Sequence, residues 1–95
     1  MDSAELRVFE AVVRTGGMNR AAAELNTVRS NVTARVRALE AELGGPLFER
    51  HSRGVALTKA GERLLPYARR VAWLLTDAAR AARDDGAPRG FRSCG

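Results

Sequence analysis

Six of the nine residues from Arg29 to Arg37 carry side chains that hydrogen-bond: Arg29, Ser30, Asn31, Thr33, Arg35 and Arg37. Guanidinium groups take phosphate and the edge of guanine through two parallel bonds. Short amides and hydroxyls fit the edges of bases. The chemistry on offer is recognition of a polyanion rather than bond-making. Material for catalysis is scarce, with one His, one Cys, no Gly-rich phosphate loop and no carboxylates paired across a plausible cleft. His51 has no potential ligands beside it, so the expectation is no metal, no cofactor and no enzymatic activity.

Charge is distributed in the same sense. The chain has a net charge of +5 and a pI of about 10.9, above the value of ~9 that flags nucleic-acid binders. Residues 1–28 carry three Arg against four acids, whereas residues 29–59 carry six basic groups against three acidic ones. The positive charge therefore gathers on the segment that holds Arg29–Arg37. Fifteen of the sixteen basic residues are Arg, which fits bidentate contacts and equally fits codon usage in a GC-rich genome.

The elements that would position these groups follow from periodicity. Asp2 or Ser3 can cap a first helix with Leu6, Phe9 and Val13 on one face, widened by Val8 and Val12 and ended by Gly16-Gly17. Glu10 and Arg14 read as solvated surface on this supporting helix. Asn19 is placed to cap a short second helix, with Met18 stapled onto Ala23 and Ala21-Ala22-Ala23 permitting close approach of a neighbour. After an Asn26-Thr27 turn, a third helix begins under a Thr27 or Ser30 cap. Its apolar stripe is Val32, Val36, Leu39 and Leu43, and Arg35 and Arg37 lie off that stripe. Glu40 and Glu42 fall in its second half, so the N-terminal half is the one suited to an anionic partner.

Gly44-Gly45-Pro46 stops that helix. Residues 47–57 read as strand, turn, strand, with Arg50 on the first strand and Arg53 at the tip, where it could enter a minor groove. Thr58 caps a last helix running to about Asp84. Some 26 residues at 1.5 Å each make a rod of roughly 39 Å, longer than one small domain needs. Leu64, Ala68, Val71, Leu75, Ala78 and Ala82 recur in steps of four and three, a seam suited to the same helix of a second copy. Pro66 is expected to bend the rod, and residues 86–95 read as a flexible tail. No stretch is apolar enough to span a membrane and Met1–Leu6 lacks a signal-peptide core, so a cytoplasmic location is expected.

At this point the chain resembles the DNA-binding domain of LysR-type transcriptional regulators. The resemblance covers roughly residues 3–85. It rests on Leu6-Arg7-Val8-Phe9 with Ala11-Val12, on Gly17-Met18-Asn19-Arg20-Ala21-Ala22 with Leu25, and on Val32-Thr33, Leu39-Glu40 and Leu43-Gly44. Leu47-Phe48-Glu49-Arg50, Leu57-Thr58 and Ala60-Gly61 complete it. It implies a mainly α fold, a winged helix-turn-helix of three helices and a two-stranded wing, followed by a long dimerisation helix. The implied layout is a DNA-binding domain over 1–58, with the helix-turn-helix at about 18–37 and the wing at about 47–57, then a linker helix over 59–85. The implied partners are duplex DNA, as an interrupted palindrome near promoters, and a second copy of the chain. Arg29, Ser30, Asn31 and Thr33 would read or border bases. Arg20, Arg35, Arg37 and Arg50 would mainly hold phosphates.

Departures from the family pattern concentrate at one place. Met18 stands where an aromatic is usual, Val28-Arg29-Ser30 where a Ser-Gln-Pro type of start is usual, and Thr33 where a Ser is usual. The position that normally reads bases is thus Arg29, which shifts the expected preference toward guanine. The effector-sensing domain of the family is not in these 95 residues, so no small-molecule effector site is expected and the sequence reads as a truncated or shortened regulator. The competing reading is a winged-helix module that docks on protein.

Overall fold

The computed structural model describes residues 1–51 and 54–83; the Arg50 side chain, Ser52, Arg53 and residues 84–95, including the expected tail, lie outside the described residues. Its elements are α1 (Ser3–Thr15), α2 (Met18–Glu24), α3 (Arg29–Leu43), β1 (Phe48–His51), β2 (Gly54–Leu57) and α4 (Lys59–Arg83). The mainly α architecture with a two-stranded wing and a long final helix is the expected one.

The helix α1 is apolar on two sides and therefore sits between two packed clusters. Val8, Ala11 and Val12 face Ala21 and Ala22 of α2 and Val32 and Val36 of α3. Phe9 faces the other way, against Leu39, Leu47 and Ala68, with Leu6 and Val13 at its margin. The Phe9 and Phe48 rings meet at 5.3 Å between centroids, tying the wing to α1. Asp2 caps the helix by accepting a hydrogen bond from the Glu5 amide at 2.8 Å. Gly16, left-handed at φ 90°, closes it.

Glu10 and Arg14 are not merely solvated. The Arg14 guanidinium bonds Glu10 on its own helix at 2.9 Å and Glu24 at the end of α2 at 2.7 Å, clamping α1 to α2. The bond from Arg14 holds the Glu24 carboxyl below its ordinary pKa. Glu24, and then Glu10, in turn make Arg14 harder to deprotonate.

Both caps expected next in the chain are replaced by backbone. α2 starts at Met18 behind an extended Gly17 with no side-chain cap, which leaves Asn19 inside the helix. Ala21 and Ala22 are buried as expected, but Ala23 is exposed, so Met18 packs into the first cluster and not onto Ala23. Asn26 takes φ 60° in the turn, a conformation Asn tolerates better than most side chains. α3 starts behind Val28, again without a side-chain cap. The Thr27 hydroxyl instead accepts a hydrogen bond from the Asn31 side-chain amide at 3.0 Å.

The stripe of α3 is buried at Val32, Val36 and Leu39 and ends there, since Leu43 is 45% exposed. Glu40 fastens α3 to the start of the wing, where its carboxylate accepts from the Leu47 amide at 2.8 Å. Leu47 is buried and precedes β1, so the strands begin one residue later than the apolar pattern suggests. β1 and β2 pair antiparallel in the register Phe48↔Leu57 to His51↔Gly54.

Thr58 then links wing to rod. Its hydroxyl donates to the Pro46 carbonyl at 2.8 Å and accepts from the Gly61 amide at 3.1 Å, capping α4. Gly61 is required by close approach, because a Cβ there would lie 2.4 Å from the Leu47 carbonyl oxygen. α4 runs unbroken through Pro66, whose ring is on an exposed position.

The seam expected on α4 is divided. Ala68 is fully buried, and Leu64 packs with it, in the chain's own second cluster. Ala68 is closed to a partner by this packing, whereas Leu64 is half-buried. From Trp73 to Arg83 every residue is exposed.

Candidate nucleic-acid interface

The α1–α2 turn, α3 and the wing enclose a groove into which the side chains of Arg29, Thr33 and Arg37 project, together with Arg20 of α2 and His51 of β1. The spacing explains this. Arg29, Thr33 and Arg37 stand four residues apart, so at 3.6 residues per turn they form one row beside the buried stripe. The buried stripe fixes the rotation of α3, and the row is presented as a consequence. Thr33 is half-buried, whereas Arg29 and Arg37 are exposed.

Ser30 and Asn31 are exposed on the first turn of α3, outside the groove lining, at the tip of the helix. Arg35 does not join the row. It precedes Arg37 by two residues, about 200° of rotation, and so flanks the buried stripe from the other side, half-buried. Both arginines lie off the stripe as expected, but on opposite sides of it. Arg20 reaches back to the Thr15 carbonyl at 3.5 Å, at the groove's rim. Arg53 and the Arg50 side chain lie outside the described residues.

Electrostatically the groove is mixed. Glu40 and Glu49 also line it, although Glu40 is engaged with the Leu47 amide. Among the described residues the side-chain ion pairs involve only Arg14 and the terminal amine as cations. Arg20, Arg29 and Arg37 thus face solvent with their charge uncompensated by a bound carboxylate. Because no side chain caps α3, its Arg29 and Ser30 amides also remain available to an oxyanion, while the Asn31 amide donates to the Val28 carbonyl at 3.1 Å. The arrangement suits an extended anion lying along the row.

Two residues named in the sequence take a different place in the structure. Asn19 lines the groove because α2 begins two residues earlier than a cap at Asn19 implies. Val28, at 63% exposure, stands at the N-cap of α3, outside the groove lining. A β-branched apolar residue between the two expected caps, Thr27 and Ser30, was the available signal.

Residues 3–62 match the family described as bacterial regulatory helix-turn-helix protein, lysR family. The chain is 48% identical over 90 residues to the uncharacterized HTH-type transcriptional regulator YusT of Bacillus subtilis (strain 168), covering 95% of this chain and 30% of that protein. It is 49% identical over 90 residues to the HTH-type transcriptional regulator YofA of the same organism, covering 95% of this chain and 32% of YofA. The chain thus spans about a third of the length of these curated relatives. Among solved structures, the CbnR_DBD–DNA complex is 40% identical with a TM-score of 0.73, over 88% of this chain and all of that one. The BenM_DBD/catB site 1 DNA complex is 30% identical with a TM-score of 0.75, over 87% of this chain and 89% of that one.

Proposed function

The chain belongs to the lysR family of bacterial regulatory helix-turn-helix proteins, and from this premise we propose that it binds duplex DNA sequence-specifically, as a homodimer, to regulate transcription. The observation that carries the reading is the row Arg29, Thr33 and Arg37 beside the wing. A helix that presents such a row from its N-terminal half enters a major groove with its first turns against the bases. The solved complexes of CbnR_DBD and BenM_DBD with DNA support DNA as the partner, and the row gives the placement. In it, Arg29, Ser30, Asn31 and Thr33 face base edges. Arg20, Arg37 and Arg50 hold phosphates, Arg35 reaches backbone from the other flank, and Arg53 approaches the adjacent minor groove. The chain acts by binding and not by catalysis, in the cytoplasm where its target lies. No helix among the described residues is long and apolar enough to cross a membrane.

The second copy docks on α4 along a seam rotated from the one the heptad pattern suggests. With Ala68 buried and Leu64 packed beside it, the more exposed row is Tyr67, Leu74, Ala78 and Ala81 with half-buried Val71 between the first two, again in steps of four and three. Tyr67 is 63% and Leu74 56% exposed, large values for residues of their size. Leu75 and Ala82 border this row.

Selection of bound sites from random duplexes, followed by anisotropy titration, tests the reading. Arg29→Ala should weaken the preferred site by about 1–3 kcal/mol and relax its sequence at one position. If Arg29→Ala binds specific and random duplexes as the unaltered chain does, Arg29 is not a reader of bases.

A further inference from the structure

We propose that Val28 is a specificity-determining residue that packs on the C5-methyl group of a thymine in the major groove. The inference rests on the DNA-binding reading above and assigns one more position within it. Val28 is 63% exposed, more than Met1 at 54% or Leu43 at 45%, and among the described residues only α4 carries large apolar residues as exposed as this. It occupies the N-cap of α3 in an extended conformation, φ −106° and ψ 157°. This is the position where Ser, Thr, Asn or Asp would bond the first-turn amides and where Val ranks among the poorest choices. The helix accordingly has no side-chain cap.

Val28 therefore contributes neither a cap nor core packing, and its apolar surface is presented at the tip of the helix. Its neighbours Arg29, Ser30 and Asn31 are polar and exposed, so the isopropyl group stands as a lone apolar point within a polar contact surface. In the major groove only thymine offers an apolar group, its C5-methyl, and apolar side chains read it by contact. Continuity with Arg29 fixes the occupant: whatever base pair Arg29 approaches, Val28 meets that pair or its neighbour.

The test uses the full chain and the sites it selects. Each thymine of a selected duplex is replaced singly by deoxyuridine, which removes the methyl and leaves every hydrogen-bonding group in place. One thymine in each half-site should lose about fourfold in affinity for the unaltered chain, the value of burying one methyl-sized group. Val28→Ser should bind the thymine and deoxyuridine duplexes equally, while its melting temperature holds or rises because Ser restores a cap. Selected duplexes with no methyl-sensitive thymine overturn this inference alone, as does a methyl penalty that persists undiminished in Val28→Ser. Failure to enrich any duplex overturns the DNA-binding reading and this inference with it.

Discussion

Arg14 and Arg29 carry the same group and meet opposite fates. Arg14 is gripped by Glu10 and Glu24 and joins two helices; Arg29 projects into a groove without an ion pair among the described residues. A guanidinium already bonded to carboxylates adds rigidity and repels little. One left open keeps its full attraction for an external anion. The apolar residues of α4 divide in the same way. Leu64 and Ala68 close the chain's own core, whereas Tyr67 and Leu74 remain exposed. Neighbours in sequence, they separate because the packing of α1 fixes which side of the rod faces inward.

The sharpest way to break this division is to place a charge on each side of α4. Ala68→Asp buries an unpaired carboxylate among Phe9, Leu39 and Leu47. The expected loss of about 3–5 kcal/mol is comparable with the whole stability of a small domain, so circular dichroism should show a largely unfolded chain at 37 °C. Leu74→Arg touches only exposed surface. It should leave the helical signal and the protomer intact while shifting sedimentation from dimer to monomer. A dimeric Leu74→Arg chain would move the interface elsewhere.

Smaller effects separate the two classes of arginine. Arg37→Ala should weaken binding to specific and random duplexes alike and lower the slope of log affinity against log salt by about 1, one phosphate contact fewer. Arg14→Ala should leave that slope unchanged and lower the melting temperature instead, with the loss fading in high salt as expected of a surface pair. If Arg14→Ala changes the slope and Arg37→Ala does not, the sorting into structural and binding arginines is reversed.

Much of this arrangement is legible in the sequence, for reasons that differ by element. The long amphipathic stripes of α1 and α3 announce themselves because burial repeats with the helical period. Their ends are harder: Asn19, Thr27 and Ser30 all have the chemistry of a cap, yet Gly17 and Val28 hold the cap positions. Close packing of Ala21 and Ala22 against α1 outweighs the bond a cap would add. The role of Arg14 is hidden because Glu24 lies ten residues away, beyond any helical spacing rule. Likewise Glu40 reads as a charge turned away from phosphate until Leu47 is seen to fold back onto it. The apolar period of α4 is legible because period is local, whereas its division into buried Ala68 and exposed Leu74 depends on which face α1 occupies.

The subtlest contrast is acid sensitivity. The bond from Arg14 lowers the Glu24 pKa in the folded chain from its ordinary value of 4.5. A carboxyl whose pKa is depressed on folding stabilises the protein above its unfolded pKa and loses that contribution as pH falls through the folded value. The clamp between α1 and α2 should therefore be at full strength above about pH 5 and weaken progressively below 4.5. Both groups are largely exposed, so solvent limits the effect. Melting temperatures of the unaltered chain and Glu24→Gln should differ at pH 7 and converge as the pH drops. Arg29→Ala, which removes no ion pair among the described residues, should show a melting temperature parallel to the unaltered chain across the same range. A gap for Glu24→Gln that persists at pH 3 would mean that Glu24 stabilises the turn through packing rather than through its charge.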